Sequence, residues 1–208
     1  MKKIFGTKNM PWPVLLLFAA AAGLYTGLVL SVPALEATSF QDIGIAYEWW
    51  VIFGVIVAVH SPKSWISALR CFVFFLVSQP IIYGVRVLVG AITIDMATYY
   101  LGIWGVQILL TLPGGFIAYF CKKQTALGAV VLGLGNTIIA VMGVSYFAQM
   151  LSRFPYHLLS LLVCLASIFI MTFCIQKKRT NRIIALAVPL VLTAAVVIYV
   201  LATGRSFY

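Results

Sequence analysis

The stretch FLVSQPIIYGVR, residues 75–86, places three side chains that can bind a polar ligand on one face of a helix. At 3.6 residues per turn, Gln79, Tyr83 and Arg86 form a single stripe. The amide and the hydroxyl can donate and accept hydrogen bonds, and the guanidinium suits a carboxylate or a phosphate. We therefore expect this stripe to face protein or water and to line one wall of a binding cavity.

Glu48 is the expected partner of Arg86 across this cavity. An ionised carboxylate is costly inside a membrane, about 2.5–3.5 kcal/mol at the centre for Asp on insertion scales and less near the interface, so it is expected to be paired. Both residues lie near the same end of their apolar segments. The alternative places Glu48 in the headgroup layer beside Trp49 and Trp50, while Arg86 extends outward.

Two further apolar segments add polar side chains to this candidate site. Gln107 shares a helical face with Trp104 and Thr111, and Asn136 lies in a segment rich in small residues. For Asn136, a hydrogen bond between two helices is the competing explanation. The predicted ligand-binding residues are Glu48, Gln79, Tyr83, Arg86, Gln107 and Asn136.

The sequence offers no pattern for catalysis or for a metal. The motifs HExxH, GxSxG and GxxxxGK[ST] are absent, and the four cysteines lack a CxxC spacing. His60 and His157 fall at opposite ends of their apolar segments, which keeps them from sharing a metal ion or a haem. We predict no catalytic residue, no metal ligand and no cofactor.

The elements that must position these residues are membrane helices. Of the 208 residues, 63% are hydrophobic and 9% are charged, and the mean hydropathy is +1.11. Apolar segments of about 20 residues recur, which is the length that crosses a bilayer. The expected spans are 12–33, 43–60, 65–88, 98–120, 125–149, 157–176 and 183–203. We therefore predict an all-α polytopic transmembrane bundle of about seven spans, with residues 1–208 as a single integral membrane domain.

The third and fourth spans are expected to be broken by proline. Pro80 and Pro113 each remove a backbone donor and free a carbonyl one turn earlier, which would need another partner inside a membrane. Two adjacent broken helices, each carrying a glutamine, indicate an irregular and polar interior.

Charge placement predicts the orientation. The net charge is +10, and the basic residues cluster at the ends of apolar segments, which favours a cytoplasmic loop position over binding to nucleic acid. With seven spans, these clusters fall on one side. We expect a multi-pass protein of the cell membrane, such as a bacterial inner membrane, with the amino terminus cytoplasmic and the carboxyl terminus outside.

Three functions fit these features. The favoured one is a small-molecule transporter, or the membrane-embedded substrate-binding subunit of one, with an outward-opening polar cavity. The alternative is a membrane partner or assembly protein without its own ligand, and the third is an intramembrane enzyme. The expected partners are the lipid bilayer, a small-molecule substrate and a membrane partner subunit.

Overall fold

A computed structural model describes residues 9–36, 38–45 and 47–203, and these residues form helices and short connections without a β-strand. The eight α-helices of the described chain are α1 (Trp12–Val29), α2 (Ser39–Ile45), α3 (Tyr47–Val59), α4 (Ser64–Leu88), α5 (Ile94–Ala118), α6 (Ala126–Ser152), α7 (Leu158–Ile175) and α8 (Arg179–Thr203). Short 3-10 turns occupy Pro33–Leu35 and Tyr119–Lys122. The all-α prediction is confirmed over the described residues.

Local sequence sets several helix ends. Thr93 and Thr125 precede α5 and α6, and each side-chain oxygen accepts a hydrogen bond from the backbone N–H three residues later. At the end of α4, Gly90 has a φ of 74°, which a residue with a Cβ rarely adopts. This turn lets the N–H of Ala91 donate to the carbonyl of Arg86 at 2.8 Å, so the helix ends with its carbonyls partly satisfied.

Six helices of the described chain, α1 and α4 to α8, are long and apolar enough to cross a membrane, which indicates a multi-pass membrane protein. The helix α3 has 13 described residues. At 1.5 Å per residue these extend about 20 Å, less than a hydrocarbon layer of about 30 Å. Within the predicted span 43–60 the described helical residues are the end of α2, through Ile45, and α3, and the predicted count of about seven spans is not confirmed.

The predicted proline breaks are also not confirmed. Pro80 lies inside α4 and Pro113 lies inside α5, and both helices continue through their prolines. Membrane helices tolerate proline where local adjustment and neighbouring groups satisfy the freed carbonyl. Pro80 is exposed at the surface of the bundle, whereas its neighbour Gln79 is buried.

The short helix α3 lies between two groups of longer helices. In the first group α4 packs against both α1 and α5, and in the second group α6 packs against both α7 and α8. One side of α3 supplies Trp50, Val57 and Ala58 to the core of the first group, and the other supplies Ile52, Val55 and Val59 to the core of the second. The helices α5 and α6 make few contacts with each other, so the groups are joined by α3, by the 3-10 turn Tyr119–Lys122, which packs on α6, and by α2, which packs on α1 and α7.

The two ends of the bundle differ in charge. At one end of the bundle, the loop after α3 is bonded to the segments next to α1 and α5. The N–H of Met10, just before α1, donates to the His60 carbonyl at 3.0 Å. The hydroxyl of Tyr119, just after α5, donates to the Pro62 carbonyl at 3.1 Å. This basic end carries Lys63, Arg70, Lys122, Lys123, Lys177, Lys178, Arg179 and Arg182. The opposite, acidic end carries all four acidic residues of the chain, Glu36, Asp42, Glu48 and Asp95, together with Arg86, Arg153 and His157.

Candidate functional site

The predicted stripe on α4 faces the interior of the bundle. Gln79 and Tyr83 are buried, and Arg86 is half-buried at the end of the helix. Gln79 shares a cavity of about 180 Å³ with Gln107 of α5. The Tyr83 ring stacks on the ring of Tyr100, with centroids 5.7 Å apart. Two of the six predicted ligand-binding residues therefore line one small cavity.

The expected pairing of Glu48 with Arg86 is wrong. Glu48 Oε1 accepts a hydrogen bond from the Tyr146 hydroxyl of α6 at 2.7 Å. Among the described residues the sole ion pair joins Asp42 and His157, so Arg86 has no carboxylate within 4.0 Å, and its Nε is buried without a hydrogen-bond partner. Equal depth in the bundle does not bring the two side chains together, because the Glu48 side chain of α3 is directed at α6 and not at Arg86 of α4.

Asn136 lies apart from the other predicted residues. Its Nδ2 donates to Thr172 Oγ1 at 3.0 Å and so joins α6 to α7. Its side chain is fully buried, and its Oδ1 has no hydrogen-bond partner. The six predicted residues are therefore distributed over separate places, and their binding of a ligand stays a prediction.

A different polar cluster, which the sequence did not reveal, forms at the acidic end where α2 meets α7. His157 Nδ1 lies 2.7 Å from Asp42 Oδ2, and the Ser160 hydroxyl donates to the same oxygen. The Ser39 hydroxyl accepts a bond from the backbone N–H of Ser160 at 3.3 Å. These contacts fix Asp42 and His157 against each other, although they lie 115 residues apart in the chain.

This cluster forms one wall of a polar cavity. The cavity has a volume of about 700 Å³. It is lined by Glu36, Gln41, Asp42, Gln149, Ser152, Arg153, Tyr156 and His157. It therefore combines two carboxylates, a guanidinium, an imidazole and two amides, so groups of both charges are available to one ligand. We refer to these eight residues as the acidic-end cavity.

Tyr146 links this cavity to the interior of the bundle. Its ring lies nearly parallel to the His157 ring, at an angle of 13° and with centroids 5.6 Å apart. Its hydroxyl donates to Glu48, whose side chain is almost completely buried. A ring contact rather than a hydrogen bond connects the Asp42–His157 pair with the Tyr146–Glu48 pair.

The backbone of His157 is unusual. This residue precedes α7 with a φ of 63°, in the left-handed region that residues other than glycine seldom occupy. Such a conformation costs about 1–3 kcal/mol and persists where surrounding contacts hold it. Here the bond to Asp42 and the stacked Tyr146 ring are those contacts.

The geometry limits the chemistry of this cluster. With Nδ1 as the donor to a carboxylate, the second imidazole nitrogen, Nε2, can accept a proton or bind a ligand. Ser160 donates to Asp42 and not to His157, so the three residues lack the nucleophile-to-base contact of a serine hydrolase. Across the described ranges, no group of three or more His, Cys, Asp or Glu residues could hold a metal ion.

Two other cavities are almost entirely apolar. One, of about 720 Å³, lies among α6, α7 and α8 and contains Thr193, whose hydroxyl is buried without a hydrogen-bond partner. The other, of about 810 Å³, lies between the two helix groups and contains Gln107 and Thr111. Neither brings charged groups together.

The chain has no match among known proteins: no family model, curated protein or solved structure is similar to it at a significant level. Function is therefore inferred from the geometry of the described residues. The residues predicted to bind a ligand include neither Asp42 nor His157, which lie 115 residues apart in the chain.

Proposed function

We propose that this protein is a small-molecule transporter, or the membrane-embedded substrate-binding subunit of one, and that its ligand enters through the acidic-end cavity. The observation that carries the proposal is the acidic-end cavity itself, a polar space of about 700 Å³ at one end of a bundle of apolar helices. Its size falls within the range of about 300–1,000 Å³ that is typical of small-molecule sites.

The charges in the acidic-end cavity favour a small polar ligand that bears both signs of charge. The Arg153 guanidinium is exposed and offers a planar set of donors to a carboxylate or a phosphate. Glu36 and Asp42 can accept hydrogen bonds from a cationic group on the same molecule. A wholly apolar ligand would leave these polar groups without partners, so it is disfavoured.

The arrangement of the helices supports transport over fixed binding. The two helix groups meet through short elements, α2, α3 and the 3-10 turn Tyr119–Lys122, while the long helices α5 and α6 make few contacts with each other. An interface of this kind can rearrange with a smaller loss of packing than a continuous core. Glu48 lies at the start of α3, so the polar cluster is attached to one of the elements that join the groups.

The orientation follows from the charge difference between the ends. The positive-inside rule places the basic end on the cytoplasmic side of the cell membrane, which leaves the acidic-end cavity open to the outside. With α3 as a further crossing, the amino terminus is cytoplasmic and the carboxyl terminus is outside. A cysteine introduced at Lys123 in one variant and at Thr203 in another, with Cys174→Ser so that only the three buried cysteines remain, should then react with a membrane-impermeant thiol reagent from opposite sides. Reaction of both from the same side contradicts this topology.

Ligand binding is tested first by native mass spectrometry of the gently extracted protein, which reveals a retained small molecule. A panel of amino acids, nucleosides and vitamins is then screened for stabilisation against heat, since a ligand at 100 times its Kd stabilises the folded state by about 2.7 kcal/mol. We expect Arg153→Gln to remove this stabilisation and Arg179→Gln, an exposed change at the basic end, to retain it. Equal stabilisation of both variants, or none of the wild type by any compound, contradicts the proposal.

A further inference from the structure

We infer that Glu48 is a proton-binding site inside the membrane domain, and that it exchanges its proton with the acidic-end cavity past Tyr146 and His157. The inference deepens the proposed function, on which it rests in one respect only: in a transporter, this proton would be the coupling ion. The presence of the proton-binding site itself does not depend on transport.

The first observation is the incomplete bonding of the Glu48 carboxyl group. The residue is 1% exposed. Oε1 accepts the hydrogen bond from Tyr146, but Oε2 is buried and has no hydrogen-bond partner in the described chain. A buried carboxylate oxygen without a partner is unfavourable, so this atom is where an additional cation or proton would bind.

The second observation is the lack of a positive charge beside Glu48. The side chains that face it from the packed elements are Asp42 from α2, Tyr146 from α6 and Cys164 from α7. His157, which precedes α7, stacks against the Tyr146 ring. Asp42 is itself acidic, and His157 is bonded to Asp42. An ionised Glu48 would therefore add a second negative charge to a buried cluster that has one cationic partner at most.

Basic residues on the neighbouring helices do not supply the missing charge. Arg70 of α4 donates to the His60 carbonyl, and Lys122 donates to the Ser61 carbonyl, both at the far end of α3. Arg86 forms no ion pair with any described residue. The position of Glu48 in the first turn of α3 does favour an anion. That contribution is smaller than the cost of burying an unpaired charge.

A proton fits this position better than a metal ion. Na⁺ and similar hard cations require several oxygen ligands, and Ca²⁺ takes six to eight. The only side-chain hydrogen bond to Glu48 from the described residues comes from the Tyr146 hydroxyl. One proton on the carboxyl group removes the buried charge and needs no further ligand.

The cavity supplies a route for exchange. When the O–H bond of Glu48 breaks, the carboxyl group becomes a carboxylate. Since no hydrogen bond among the described residues joins Glu48 to His157, the proton passes through water to the His157 imidazole or into the acidic-end cavity, which Asp42 and His157 line. Because the Tyr146 ring lies on the His157 ring, a movement of His157 also shifts the hydroxyl that holds Glu48. His157 is thus a positioning residue as well as a candidate proton carrier.

Infrared spectroscopy of the full-length protein in lipid nanodiscs tests the inference directly. At neutral pH we expect a carbonyl band of a protonated carboxyl group in the wild type. This band should be lost in Glu48→Gln and retained in Asp95→Asn, a matched change of an exposed acidic residue at the same end. Absence of the band from the wild type, or its retention in Glu48→Gln, overturns the proton-binding site.

Two further variants keep the test informative if Glu48→Gln does not fold. Tyr146→Phe retains the carboxyl group but removes its hydrogen bond, so the band should move to higher frequency; an unmoved band overturns the assignment to Glu48. His157→Asn, which tolerates the left-handed backbone, should slow the shift of the band in D₂O at least tenfold, and an unchanged rate overturns the route. None of these measurements uses a substrate, so failure of the proposed transport function would be seen separately.

Discussion

Replacing Asp42 with alanine should strongly destabilise the acidic end, because this residue holds α2 against α7. Its Oδ2 accepts hydrogen bonds from His157 Nδ1, at 2.7 Å, and from the Ser160 hydroxyl. The side chains of His157 and Asp42 are 10% and 13% exposed, so water screens the interaction only slightly. The variant removes the shared acceptor and leaves two donors without partners.

The magnitude follows from these two bonds. A hydrogen bond to a charged group contributes about 1.5–3 kcal/mol, and a buried donor left without an acceptor costs about 1–3 kcal/mol. Water from the adjoining cavity can replace part of the loss, so the two contributions do not add in full. We expect Asp42→Ala to lower the free energy of unfolding by about 3 kcal/mol, and the coupling energy between Asp42 and His157 to be about 1.5–3 kcal/mol.

The assay is reversible denaturation in mixed detergent micelles, followed by tryptophan fluorescence, for the wild type, Asp42→Ala, His157→Ala and the double variant. Glu36→Gln is the control, because this exposed acidic residue lies in the same cavity and its replacement should change stability by no more than about 0.5 kcal/mol. An Asp42→Ala effect as small as that of the control would refute the reasoning, as would a coupling energy below about 0.5 kcal/mol.

The same assay tests three other contacts. Gly23→Ala should cost about 1–3 kcal/mol of stability, because the added Cβ would lie 2.7 Å from a backbone carbonyl oxygen of α4. Gly84→Ala is the control and should be neutral or stabilising, because an added Cβ there would meet nothing within 4 Å. Equal effects of the two changes would contradict the close packing of α1 on α4. Asn136→Ala and Thr172→Val should show a coupling energy of about 0.6 kcal/mol, at most about 1.7, and strict additivity would exclude their hydrogen bond. Arg70 donates to a carbonyl after α3 and lies over the ring of a tryptophan at the start of α1. Arg70→Lys, which keeps the charge, should therefore cost less than about 1 kcal/mol of stability, and Arg70→Ala about 2–3 kcal/mol. Equal losses would show that the positive charge does not contribute to stability.

The helical membrane class is readable from the sequence because it depends on local properties. Apolar segments of membrane length, interrupted by charged clusters, leave few alternatives to helices within a bilayer, since each helix satisfies its own backbone groups. The separation of basic from acidic residues is local in the same sense, because it depends only on which segment ends carry them. The burial of Gln79 and Tyr83 likewise follows from their spacing along one helix.

The number of membrane crossings was beyond this kind of reasoning. Residues 43–60 read as one apolar segment, and within it the described residues form the end of α2 and the 13-residue α3, whereas six other helices are long enough to cross a membrane. Hydropathy measures whether a segment prefers lipid, and a helix surrounded by protein can have the same composition as one that faces the bilayer. Only the packing of the helices distinguishes the two cases.

The candidate site shows the same limit more sharply. The sequence identified Glu48 as a buried acidic residue that needs a partner, and burial is what the structure shows. Its partner is Tyr146, 98 residues away, rather than Arg86 on the next long helix. Neither Asp42 nor His157 was among the predicted ligand-binding residues. Helical periodicity gives the direction of a side chain relative to its own helix, whereas the rotation of each helix against its neighbours is set by tertiary packing, and that rotation decided which polar groups meet.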